Sequence, residues 1–146
     1  MGANKMRAML ISDSTDTRPL LLLAGAAPEG AADLLREAGY RVRSAGSGAA
    51  LLRLAAGEPR AGLILLGETV GDQHGLDLLS RLREDAAARA VPVLFVSGGG
   101  DEELALALGA CDCLNLPLRP LVLLARAQAQ LTLHRLLARG RAGAAA

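Results

Sequence analysis

At 146 residues and a formal net charge of +1, the chain has room for one cored domain, and its interspersed acids and bases give no nucleic-acid footprint. Hydrophobic residues make up 51%, yet no apolar run reaches the ~18 residues of a membrane span, and polar "SDSTDTR" interrupts any signal-like stretch after Met1, so a cytoplasmic protein is expected. With no Trp, one Tyr and one Phe, stacking on bases or aromatic ligands is not expected, and the core falls to Leu, Ala and Val.

Residues 1–18 read as a polar, flexible lead-in, with "MRAMLIS" at most a stray strand. The globular part runs from Pro19 to residue 139. "LLLLAG" (20–25) is an apolar run of the kind a strand buried on both faces shows. "PEGAADLLREAG" (28–39) places Leu34, Leu35 and Ala38 on one helical face and stops at Gly39. "YRVRSA" (40–45) alternates as a half-exposed strand, and "GAALLRLAAG" (48–57) is again helical up to a glycine. "AGLILLG" (61–67) is a buried strand whose tip is Gly67, and Gly75 then breaks the chain before the helix "GLDLLSRLRED" (75–85). "VPVLFVS" (91–97) is a strand, "DEELALALG" (101–109) a short helix with Asp101 as N-cap, and "ACDCLNL" (110–116) a strand. "PLVLLARAQAQLTLHRLLAR" (120–139) is a long helix, and residues 140–146 are a flexible tail. Five strand–helix alternations predict an α/β fold, a doubly wound parallel sheet with helices on both faces.

Cys111 and Cys113 stand as C-x-C on one strand face, but His74 and His134 are far away in sequence, so no metal site is expected and both thiols read as buried and structural. "DQHGLD" contains the D-x-H that begins a cobalamin motif, yet residue 77, where its last glycine belongs, is Asp77. No other cofactor pattern and no catalytic constellation is present, so an enzyme is not expected.

In register, "GYRVRSAGSGAALLRL", "LILLGETVGDQHGLDLLSRLR", "VPVLFVSG", "GACDCLNLP" and "PLVLLARAQAQL" resemble a bacterial response-regulator receiver domain over roughly residues 19–135. The resemblance implies a (βα)5 sheet with strand order 2-1-3-4-5. It also implies an aspartate at the tip of the third strand that accepts a phosphoryl group. Two acids after the first strand would hold Mg²⁺, a Ser or Thr would end the fourth strand, and a Lys would precede a cis proline after the fifth. That chemistry is coherent, because a carboxylate attacking an anionic donor needs a divalent ion and a cation to offset the charge.

On this chain the acid pair falls on Gly25 and Ala26, the acceptor on Gly67, the hydroxyl on Ser97 and the lysine on Leu116. Only Ser97 keeps a suitable group. Strand alternation would turn Glu68 away from that side, and Asp72 alone cannot make a Mg²⁺ site. Apolar closure by Leu116 and the small residues is expected there, with the Leu116–Pro117 bond still cis. The family's aromatic switch position is Cys113, and between Ser97 and Gly109 the chain is about three residues short of the family norm, nearly one turn of ~3.6 residues. These departures imply a pseudo-receiver that regulates by protein contact without phosphorylation, inside a larger signalling protein with a linked output domain or protein partner. A small-ligand sensor using the vacated pocket is the alternative.

The last helix carries Leu121, Leu124, Gln128 and Leu131 as a stripe toward the sheet. Leu131, Leu133, Leu136 and Leu137 near its end are expected to form a homodimer seam or a coupling helix.

Overall fold

The computed structural model describes residues 16–25 and 30–145. In chain order these form β1 (Leu20–Ala24), α1 (Ala31–Glu37), β2 (Arg41–Ala45), α2 (Gly48–Ala56), β3 (Leu63–Gly67), β4 (Thr69–Val70), β5 (Gln73–His74), α3 (Gly75–Glu84), β6 (Val93–Ser97), α4 (Glu102–Ala107), β7 (Asp112–Asn115) and α5 (Pro120–Ala145). The main sheet is five-stranded and parallel, in the order β2-β1-β3-β6-β7. This is the predicted doubly wound architecture.

Side-chain alternation divides the strands between two cores. Leu20, Leu22, Ile64, Leu66, Val93 and Phe95 face α2, α3 and α4, which contribute Leu51, Leu78, Leu79, Leu82 and Ala105. Leu21, Leu23, Leu63, Leu65, Leu94 and Val96 face α1 and α5, which contribute Leu35, Leu123 and Ala127. The central strands β1, β3 and β6 are buried along their whole length, which explains their unbroken apolar runs. Gly39 ends α1 as predicted, with a left-handed φ of 99° and an N–H donating to the Arg36 carbonyl at 3.0 Å.

Five local expectations are corrected. Residues 1–15 of the lead-in lie outside the described residues, but Asp16–Arg18 is docked on the edge strand rather than free. The Arg41 Nε donates to the Arg18 carbonyl at 3.0 Å and lies 3.7 Å from the Asp16 carboxylate. Hydrogen bonds from Arg18 hold the Asp16 carboxyl well below the usual range.

Between β3 and α3 the chain forms an antiparallel hairpin, Thr69 against His74 and Val70 against Gln73, where a plain loop was expected. Asp101 stands at the N-cap of α4, but its side chain makes no capping bond. Residues 140–145 continue α5 as helix instead of a tail. Their alanines offset the ~1 kcal/mol that each interior glycine costs, and elongating an established helix needs no new nucleus.

The inward stripe of α5 is also displaced. Leu123 and Ala127 are buried with Leu131 beside them, whereas Leu121 is 78% exposed. The helix packs by the row i, i+4, i+8 that begins at Leu123.

Candidate functional site

The strand order reverses between β1 and β3, and in open α/β sheets ligands sit in the crevice beyond the carboxyl ends of such strands. Here the crevice is framed by Gly25, Gly67, Ser97 and Leu116; Ala26, the remaining predicted position, lies outside the described residues. Gly67 ends β3 opposite Val96. Gly25 has a φ of 92°, and a Cβ there would lie 2.6 Å from the Thr69 carbonyl oxygen and 3.0 Å from the Gly67 Cα. The hairpin backbone thus fills the space an acidic side chain at position 25 would need. Val70 anchors the hairpin in the core, and the Gly75 N–H donates to the Glu68 carbonyl at 2.6 Å where α3 begins.

Glu68 is the residue that sequence reasoning misplaced. β3 ends at Gly67, so strand alternation no longer governs the next side chain. Its carboxylate turns to the end of β6, where Oε1 accepts a 2.9 Å hydrogen bond from the Ser97 hydroxyl and another from the Gly98 N–H. The Gly98 bond first, and then the Ser97 bond, hold the Glu68 carboxyl below its ordinary range. Ser97 is fully buried; its hydroxyl also accepts from the Gly99 N–H at 3.0 Å, and its carbonyl accepts from the Leu116 N–H at 2.8 Å.

Leu116 itself is 40% exposed, so the expected apolar closure by this side chain does not occur. The hairpin backbone instead crowds the Gly25 side. The Leu116–Pro117 peptide is cis, as expected. Asp72 sits exposed at the hairpin turn, and His74 is exposed ahead of α3.

Mg²⁺, which the resemblance implies, does not fit these residues. Gly25 has no room for a carboxylate, and Glu68 is already engaged by two donors. Among the described residues no three His, Cys, Asp or Glu side chains gather as a metal site.

Cys113 is half-buried and neighbours Phe95 in the sheet, and burial raises its thiol. Cys111 is exposed as a residue, which corrects the reading of two buried thiols. Burial around its sulfur, with Asp112 adding to it, still pushes that thiol up to about 11, so it stays protonated at neutral pH.

Of the four leucines expected at a seam, Leu131 turns inward, its Cδ2 only 2.8 Å from where a Cβ on Gly62 would stand. Leu133, Leu136 and Leu137 are 50%, 55% and 50% exposed. They continue an exposed row through Val122, Ala129 and Gly140 at spacings of three, four and seven residues. The sequence pattern could not separate the two rows, because leucine occupies both.

No helix of the described residues is long and apolar enough to cross a membrane. A family model described as the response regulator receiver domain matches residues 26–128. The transcriptional regulatory protein GltR of Pseudomonas aeruginosa is 32% identical over 134 residues, covering 90% of this chain and 51% of GltR. The chain spans about half the length of the curated relatives it matches. Among solved structures, a CheY-like receiver domain protein of Methanospirillum hungatei JF-1 superposes with a TM-score of 0.69 at 20% identity, over 81% of this chain and 96% of its own. The receiver domain of the Pseudomonas aeruginosa sensor histidine kinase PA1611, solved with a coordinated magnesium ion, gives 0.69 at 24% identity, over 80% of this chain and 99% of its own.

Proposed function

Because the chain belongs to the response regulator receiver domain family, we propose that it is a receiver that takes no phosphoryl group and regulates by protein contact. The observation that carries this is the end of β3, where Gly67 supplies no nucleophile. Leu116 in place of a cation and the closed surroundings of Gly25 support it. The chain would be the receiver part of a longer regulator acting on transcription, as the name and length of GltR suggest. Its role there is to present a surface, and no catalytic residue is assigned.

Incubation with acetyl phosphate, or with beryllium fluoride, in the presence of Mg²⁺ should leave the mass and the melting temperature unchanged. A mass gain of one phosphoryl group would overturn the reading.

The surface is in part self-complementary. Leu133, Leu136 and Leu137 are half-exposed to solvent, and burying them against a twofold mate gains roughly 1 kcal/mol for each side chain. Association costs at least ~4 kcal/mol, so a weak homodimer follows, tightened by linked domains. Sedimentation of the intact chain should show concentration-dependent association that Leu133→Ser with Leu136→Ser abolishes. Identical monomeric behaviour of both proteins at high concentration would remove the dimer from the reading.

A further inference from the structure

Two donors at the end of β6, the Ser97 hydroxyl and the Gly98 N–H, converge on one oxygen of Glu68, and the Gly99 N–H completes the group through Ser97. Converging hydroxyl and backbone N–H donors form a cradle for an anionic oxygen, and bonds to an ionised acceptor are about twice as strong as neutral ones. We propose that Glu68 is a built-in anion, a latch that permanently fills the cradle an external phosphoryl oxygen would otherwise reach from the Gly67 side. This rests on the reading that no phosphoryl group arrives at Gly67.

What the latch controls follows from the next residues. Gly98, Gly99 and Gly100 connect β6 to α4, and Gly99 and Gly100 hold φ values of 128° and 90°. Three consecutive glycines have wide conformational freedom unless something fixes them. α4 is six residues long and buries Ala105 alone, so it has little packing of its own to set its position. The carboxylate pins the first glycine, and through it the helix that carries the half-exposed Leu104 and Leu106. The latch therefore holds this α4 face in one setting without any covalent signal.

The test is hydrogen exchange of the full chain at neutral pH, comparing wild type with Glu68→Ala and Glu68→Gln. In Glu68→Ala, amides over residues 98–104 should exchange about tenfold faster, while those of β1 and β3 keep their protection. Glu68→Gln keeps a neutral acceptor and should fall between the two. Formate added to Glu68→Ala should restore part of the protection, which loss of ordinary packing would not predict. Unchanged exchange over residues 98–104 in both variants would overturn the latch. If Glu68→Ala does not fold, the near-isosteric Glu68→Gln makes the same comparison with the same two outcomes. Phosphoryl uptake by wild type would refute the preceding reading, whereas the exchange pattern refutes the latch, so the two fail separately.

Discussion

Gly25→Asp, which would place an acid at the end of β1, is expected to destabilise the domain by about 2–6 kcal/mol and to create no metal binding. Two costs add. At a φ of 92° any side chain is strained, at ~1–3 kcal/mol. The new Cβ would also stand 2.6 Å from the Thr69 carbonyl oxygen and 3.0 Å from the Gly67 Cα, backbone atoms that cannot rotate aside, and such overpacking costs ~1–3 kcal/mol more. Gly25→Ala separates geometry from charge and should show most of the loss. Urea unfolding followed by circular dichroism measures both. A loss below ~1 kcal/mol in the two variants would mean that the hairpin yields, and the site would then be open to repair.

Phe95→Ala is expected to cost about 3–5 kcal/mol, the range for truncating a buried phenylalanine. Phe95 is the chain's one phenylalanine, is fully buried, and sits in register with Leu66 on one side and Cys113 on the other. Its ring reaches to 3.1 Å from where a Cβ on Gly75 would stand, so it fills the space between β6 and the start of α3. Around it the core is built mainly of leucine, valine and alanine, leaving no second aromatic to swing into the void. Phe95→Leu retains most of the volume and should lose about half as much. Equal, small losses for both variants in urea titration would show that α3 collapses onto the sheet to close the gap.

The sheet was legible because its central strands are buried on both faces and therefore written as unbroken apolar runs, "LLLL" in β1 and "LILL" in β3. Two glycines marked helix ends, Gly39 with a left-handed backbone after α1 and Gly57 with an extended one at the end of α2. The place of Gly67 at the end of β3 was legible too, since the apolar run of that strand ends on it.

Glu68 was not legible, because alternation is a property of extended backbone and that backbone stops one residue earlier. The hairpin of residues 69–74 was missed since two-residue strands carry no period. In α5, leucine and alanine lie on both faces, so the pattern placed Leu121 inside when the sheet takes Leu123. Gly140 reads as a helix end in the sequence, although an established helix passes through such a residue.

The 26 residues of α5 include four arginines and no carboxylate, and the helix runs about 39 Å from the carboxyl ends of the strands to beyond their starts. Glu68, Asp72, Asp77, Asp101, Glu102 and Glu103 cluster at the carboxyl ends of the strands, on α3, α4 and the turns after β3, β4 and β6. A formal charge of +1 therefore conceals an electric dipole along the molecule. Two such bodies diffusing toward each other feel a torque before they touch, and it turns them end for end, basic pole to acidic pole. With a Debye length of ~8 Å at physiological ionic strength the torque acts only in the last stage of approach, and at ~1 M salt it vanishes. Orientation at encounter is thus antiparallel and salt-sensitive.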